Sequence, residues 1–370
     1  MDSEGVAVSA AARAASGAGA GAKTVAATAA LVCILLVVLT ARPASAQELV
    51  REPETVKQGD PAVFVFEWSA QTGPSAVPDE DAEEAGLDRA TSAATFGDLG
   101  RSAFLSLESP EEGRILTTRC FPLEEDRWTC MAGISSTRKP GSYRASIVLG
   151  GAVGGSRELT TELQIEEREF RRETIPLDRS LTRLRSEPDE RKAEEAATLA
   201  ELIARFDPDA VYHRGPFTLP VEDARKTSLF GDRRTYQYVD GASANAVHYG
   251  LDLAAETGTG VRAGGAGRVV MADERIISGN TVVIEHLPGV YGLHYHLDEI
   301  RVAEDDVVEP DTEIGTVGST GLATGPHLHW EVRVARVPVE PEMLLSEGLI
   351  DTVHYSRDTM YRKQMPEMPQ

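Results

Sequence analysis

Val247-His248-Tyr249-Gly250-Leu251-Asp252 and, 75 residues on from Asp252 to His327, Thr324-Gly325-Pro326-His327-Leu328-His329-Trp330-Glu331 are the stretches on which the reading of this chain turns. Successive side chains of a strand face opposite ways, so His327 and His329 share a face while Leu328 turns away. His248 and Asp252, four apart around Gly250, converge if the chain bends at the glycine. Imidazole nitrogen and carboxylate oxygen are the donors a borderline cation such as zinc takes. Both His327 and His329 can ligate, or one can ligate while its neighbour acts on bound water. Three protein ligands leave a fourth position open, as a catalytic zinc requires, and zinc-bound water with a pKa of about 7 is a nucleophile at neutral pH.

Taken singly, a histidine in a β protein is more often a hydrogen-bonded core or surface residue than a ligand. Here five of eight fall between His286 and His329, with His248 upstream, and the cluster is what points to a metal. His296, within Leu293-His294-Tyr295-His296-Leu297, belongs to it, and His294 shares its face and borders the site. His286, before Leu287-Pro288-Gly289, reads as a turn residue, His213 and His354 as surface, and Glu331 as a solvent-facing strand glutamate.

Outward from these clusters the chain reads as mainly β. Residues 215–346 show strand runs at 248–253, 260–271, 280–286, 291–297, 313–317 and 327–334, punctuated by glycines and without helical periodicity. Upstream, Phe64, Phe66 and Trp68 alternate with Val63, Val65 and Glu67, and further strands are expected at 103–107, 114–121, 127–132, 142–149 and 159–165. Such spacing predicts an immunoglobulin-like β-sandwich over 47–165, interrupted by a mobile, acidic and small-residue insertion at 71–98. Between the two modules, 166–214 reads as a linker: charged and extended to 184, then a helix over about 187–206. That helix is opened by a Ser186/Asp189 capping box and has an apolar stripe of Ala193, Ala196, Leu199, Ala200, Ile203 and Phe206. Residues 347–370 read as a polar C-terminal tail, frayed over 365–370.

Residues 1–46 read as a signal peptide: an apolar run at 25–41, then Ala44-Ser45-Ala46 before Gln47 in the form of a cleavage site, with an uncleaved membrane anchor as the alternative. Either way the remainder is exported, to the periplasm or cell envelope. Cys120 and Cys130 then form either a disulfide-closed hairpin or two buried thiols. A formal net charge of −22, from 37 Lys+Arg against 59 Asp+Glu, disfavours nucleic acid and anionic membrane as partners. No nucleophile elbow, His-Glu-x-x-His helix, phosphate loop or dinucleotide fingerprint is present.

The two clusters resemble those of the lysostaphin/LytM-type zinc metallopeptidases, which cut peptide bonds in bacterial peptidoglycan. His248-x-Gly250-x-Asp252 matches the first motif of that family, and Gly318-Ser319-Thr320-Gly321 leading into Gly325-Pro326-His327-Leu328-His329 matches the last. Gly279-Asn280-Thr281-Val282-Val283-Ile284-Glu285-His286 and Tyr295-His296-Leu297 match the strands between them. The resemblance implies a twisted antiparallel sheet under a groove and one zinc ion held by His248, Asp252 and His329. It places His296 and His327 beside the bound water in acid/base roles. The block 215–231 with Arg233 and Arg234 resembles periplasmic members that carry an N-terminal β module, a candidate docking point for an envelope protein. His294 stands where the family usually has an aromatic residue. The expected function is hydrolysis of peptidoglycan stem-peptide cross-links; the alternatives are a non-catalytic LytM-type regulator of another wall hydrolase and a wall-binding adaptor.

Overall fold

Period-two alternation carries the first module into strands close to those expected. The computed structural model describes residues 49–68, 101–124, 126–150, 156–346 and 348–350, all within one compact unit spanning 45–370. The signal segment read over 1–46, the insertion at 71–98 and His354 lie outside the described residues. No helix among those described is long and apolar enough to cross a membrane.

Strands Pro61–Glu67, Ser102–Ser109, Gly113–Glu124, Arg127–Gly133, Gly141–Gly150 and Arg157–Glu166 join two short strands, Leu49–Arg51 and Thr55–Lys57, in one eight-stranded sheet. Gly113–Glu124 belongs to both halves of that sheet: its first part pairs with Ser102–Ser109 and its last part with Arg127–Gly133. The two halves close on a core of Phe64, Phe66 and Trp128 from one side and Leu105, Leu107, Ile147 and Leu149 from the other. The alternate residues Val63, Val65, Phe121 and Met131 face outward and are buried against the C-terminal module, so both faces of these strands are apolar.

Cys120 and Cys130 sit directly opposite each other on neighbouring strands and are disulfide-bonded, with Cα atoms 4.2 Å apart. A link across a separation of 10 residues removes modest loop entropy from the unfolded chain. Replacing both cysteines by serine is therefore expected to lower stability by about 2–3 kcal/mol, read as a drop in denaturation midpoint that reducing agent reproduces in the parent chain. An unchanged midpoint would show that the bond contributes nothing.

Within the linker stretch read as extended, Arg172–Pro176 is a strand pairing in parallel with Arg233–Gln237, which pairs on its other edge with Ser243–Val247. The extended reading ends at Arg179, where a helix begins. Two helices follow, Arg179–Ser186 and Glu190–Leu202, where the sequence suggests one. Pro188 separates them, and each has its own aspartate cap: Leu181 N–H donates to Asp178 and Arg191 N–H to Asp189, at 2.8 Å. Ser186 closes the first helix, donating its hydroxyl to Thr182 O, and takes no part in a capping box. Of the predicted stripe only Leu199 and Ile203 are buried, joined by Leu202, and they pack on Val283, Tyr291 and Leu293. The three alanines of the stripe are exposed: only the last turn of the helix packs apolar side chains on the sheet, and its earlier turns meet it through polar bonds, Arg191 donating to Glu274 O and Arg275 to Glu195 O.

The C-terminal module is an antiparallel sheet ordered Arg225–Ser228, Leu251–Ala254, Leu328–Val334, Val290–Ile300, Gly279–Leu287, Gly267–Arg275, Val307–Val308, with Glu313–Val317 and Gly260–Arg262 folded against it. Its core takes in Leu251, Leu253, Val282, Ile284, Leu328, Trp330 and Val332. Leu349 and Ile350 are buried in the same core, which corrects the start of the polar tail at 347: two large apolar side chains there outweigh the polar residues around them.

Two further histidines belong to this core. His286 lies within Gly279–Leu287 rather than in a turn, fully buried, with Nδ1–H donated to Ala266 O. His294 is also fully buried, on the face opposite the candidate site. Burial pushes His286 down to about 3 and His294 down to about 4, against a usual 6.5. Both stay neutral in the fold, while the unfolded chain takes up their protons below about pH 6.5. Their contribution is therefore intact above that value and lost as pH falls towards 4. Thermal midpoints are expected to fall across this window, and His294→Phe should flatten part of the slope; an identical slope would show that the ring never resists protonation.

Candidate functional site

Strand register does the first part of the assembly. Leu328–Val334 is flanked by Leu251–Ala254 and Val290–Ile300, which places Asp252 directly opposite His329 on one side and Tyr295 directly opposite it on the other. The Tyr295 ring stacks on His329 at 5.3 Å and 6°. His248 lies just before Leu251–Ala254, and the chain crosses His329 at Gly250. A Cβ at that position would stand 2.5 Å from Trp330 O and 2.7 Å from His329 Nε2, so only glycine allows the crossing.

The result is a triangle of donor atoms. His248 Nε2, Asp252 Oδ1 and His329 Nδ1 lie 2.9 Å from one another, and all three residues are buried. Among the described residues this is the one group of three whose geometry could hold a metal ion. The imidazoles are oriented from behind: His248 donates Nδ1–H to Leu229 O at 2.8 Å, which turns Nε2 inward as an acceptor. Burial would raise the Asp252 carboxyl, but the neighbouring His248 and His329 hold it well below its usual range. Burial lowers His248, whereas at His329 the Asp252 and Glu331 carboxylates outweigh burial and push it up to about 9. In the metal-free chain the triangle thus keeps a proton that a cation would displace.

Two arginine–carboxylate pairs lock this arrangement. Arg234 donates from Nη2 to Asp252 Oδ2 at 2.7 Å and from Nε to Glu173 Oε1 at 2.6 Å, which leaves Oδ1 for the triangle. Glu331 is 2% exposed, receives Arg333 Nε–H at 2.6 Å and lies 3.7 Å from His329 Nε2. It is therefore not the solvent-facing residue expected. The signal was available: His329, Glu331 and Arg333 alternate on one strand face. The part of Glu173 was not, because it depends on the linker pairing in parallel with Arg233–Gln237.

His327 and His296 stand at the edge of the triangle. His327 donates Nδ1–H to Gly325 O at 2.8 Å, and its Nε2 is 3.7 Å from Asp252 Oδ1. His296 donates Nδ1–H to Thr320 O at 2.8 Å, and its ring centroid is 4.9 Å from that of His327 and 6.2 Å from that of His329. Burial, then the neighbouring His327 and His329, push His296 down to about 3. A carbonyl only accepts, so both rings present a bare Nε2. His296 reaches the site by an irregularity: its φ is 64°, and between Asn280↔Leu297 and Val282↔His294 its strand carries one extra residue. The bulge puts Tyr295 and His296 on the same side and sends His294 to the other, which corrects the expectation that His294 borders the site. A non-glycine residue held in the left-handed region costs about 1–3 kcal/mol and persists where its surroundings demand it.

These groups floor a groove of about 610 Å³. One wall comes from the linker through Glu173, Ile175, Leu177 and Arg185, the opposite rim from Ile277, Ser278 and the segment around Thr324. The helix Glu190–Leu202 does not line it.

Residues 246–341 match the model of peptidase family M23. Over 95 residues, 26% of this chain and 22% of the relative, the sequence is 44% identical to the DD-carboxypeptidase/endopeptidase Mpg of Neisseria meningitidis serogroup B. Over 94 residues, 25% of this chain and 22% of the relative, it is 42% identical to the peptidoglycan DD-endopeptidase ShyB of Vibrio cholerae. The chain thus spans about a fifth of the length of these curated relatives. A crystal structure from Pseudomonas aeruginosa described as a candidate peptidase M23 covers 67% of this chain and 89% of its own, with a TM-score of 0.47 at 26% identity. The stretch that builds the donor triangle is a domain of peptidase family M23.

Proposed function

We propose that this chain is a zinc-dependent endopeptidase that hydrolyses peptide cross-links of bacterial peptidoglycan in the cell envelope, with zinc held by His248, Asp252 and His329. The observation that carries the reading is the convergence of three buried donors at 2.9 Å under a groove, with two further imidazoles at its edge. The donor set fits the ion, since two neutral nitrogens and one carboxylate oxygen suit zinc and leave room for water and substrate.

When bound, zinc would supply an activated water and polarise the scissile carbonyl. The chain's own residues supply the rest. The neutral Nε2 atoms of His327 and His296 can accept the proton released on attack, and the resulting imidazolium can donate it to the leaving amine. In its protonated form either ring also places an N–H towards the charge that grows on the carbonyl oxygen. Arg234 and Glu331 keep the donors aimed, and the linker wall limits how an extended peptide can lie. Export would put this site beside its substrate. The regulator alternative draws no support from the site, because no ligand or acid/base side chain is missing.

The test is direct. The full chain loaded with zinc is mixed with intact sacculi and defined cross-linked muropeptides, and products are read by mass spectrometry beside His329→Ala and a chelator control. Conversion of cross-linked dimers to monomers, lost in both controls, is the expected result; intact dimers in the presence of a stoichiometrically loaded chain would transfer the weight to the regulator.

A further inference from the structure

The groove lining is balanced in formal charge, unlike the acidic chain around it. Its lining includes three arginines, Arg185, Arg225 and Arg234, against the carboxylates of Glu173, Asp252 and Glu331. Each carboxylate is already engaged, Glu173 and Asp252 with Arg234 and Glu331 with Arg333, and Arg234 is spent on the first two. Arg185 and Arg225 meet no carboxylate among the described residues. Two guanidinium groups with no carboxylate partner among the described residues thus line the groove of a chain whose formal net charge is −22.

Their positions are set by the strands nearest the donor triangle. Arg225 stands opposite Ala254, two residues along the strand from Asp252. Arg185 lies over the ring of Tyr236 at 4.0 Å, and Tyr236 is two residues along from Arg234. At a strand rise of ~3.3 Å per residue, the positions they are set against, Ala254 and Tyr236, lie ~7 Å along their strands from Asp252 and Arg234. Packing over Tyr236 holds the guanidinium in place, and its Nε is buried with no hydrogen-bond partner, so the terminal Nη groups are those a peptide in the groove would meet. The helix bearing it is fixed rather than loose: Asp178 caps it and Thr182 is buried beneath it.

We propose that Arg185 and Arg225 are a recognition pair for free carboxylates on the peptide in the groove, so that the chain selects cross-links between stem peptides with unamidated acidic groups over neutral ones. The inference rests on the peptidase reading and adds the chemical class selected and the residues that select it. A planar guanidinium takes a carboxylate through two parallel N–H bonds, a geometry that a glycine-rich or amidated peptide cannot use. It also gives the linker a task, since Arg185 comes from outside residues 246–341.

The experiment uses the zinc-loaded full chain and two cross-linked peptides identical but for amidation of their free carboxylates. The parent chain is expected to favour the acidic peptide by about 10- to 100-fold in kcat/KM, mostly through KM. In the R185Q/R225Q variant that ratio should collapse towards one, and R225Q alone, at an exposed position, should remove part of it. Equal rates on both peptides by the parent chain, or a preference that survives the double substitution, would overturn the inference while leaving the peptidase reading intact. If neither peptide is cleaved, the peptidase reading falls, and calorimetry of the same two peptides decides the inference separately. Tighter binding of the acidic peptide that R185Q/R225Q abolishes supports it; equal binding rejects it.

Discussion

Alanine at His248, Asp252 or His329 is expected to leave the chain unable to retain zinc and unable to cleave peptide. Each removes one corner of a triangle with 2.9 Å sides, and two remaining donors cannot close a site that also needs an open position. The loss should be total within measurement, down to the level of the chelated parent, and metal analysis of the dialysed protein should show less than stoichiometric zinc. The residues behind the triangle predict a graded outcome. Arg234→Ala frees Asp252 Oδ2 and leaves Glu173 without its arginine, and Glu331→Gln removes the carboxylate beside His329. Changes at such supporting positions typically reduce metal affinity by about 10- to 100-fold without removing a ligand. Competition with a chromophoric chelator would separate the two classes. Full zinc retention in His329→Ala would sink the ligand assignment.

Much of this site could be read from the chain because its decisive spacings are local. His-x-His on a strand shares a face whatever the remainder does, and a His-x-Gly-x-Asp stretch can turn two donors towards each other when the middle residue has no Cβ. The sandwich strands were legible for the same reason: alternation at Phe64, Phe66 and Trp68 is a property of the strand itself. What escaped depends on pairings between distant segments. The strand Arg172–Pro176 exists because it pairs with Arg233–Gln237, and in isolation its Arg-Glu-Thr-Ile-Pro sequence carries no strand period that would single it out. Strict alternation places His294 at the site, and the bulge at His296 breaks that alternation with no glycine to announce it. His286 was assigned to a turn because Pro288 and Gly289 follow, yet the strand runs on to Leu287. Leu349 and Ile350 looked like part of a tail because two apolar residues among polar ones have no period at all.

The second large effect separates chemistry from metal binding. His327→Ala is expected to keep one zinc per chain and lose about 10²- to 10⁴-fold in kcat, the range a positioned proton-transfer group supplies. The geometry gives the reason. His327 Nε2 stands 3.7 Å from Asp252 Oδ1, outside the 2.9 Å triangle, and its Nδ1–H is tied to Gly325 O within its own loop. Removing the ring takes nothing from the three donors. His296 needs a different substitution, because its backbone at φ 64° is disfavoured for alanine, and a loss in His296→Ala could come from a relaxed bulge. Asparagine tolerates that conformation and lacks a titrating nitrogen, so His296→Asn tests the ring while sparing the turn. If His327 is the residue that takes the proton, its alanine variant loses the rate while zinc content and melting temperature stay at the parent values. Zinc lost in His327→Ala to the same extent as in His329→Ala would mean that the two histidines share the metal and that the division of labour along this strand is wrong.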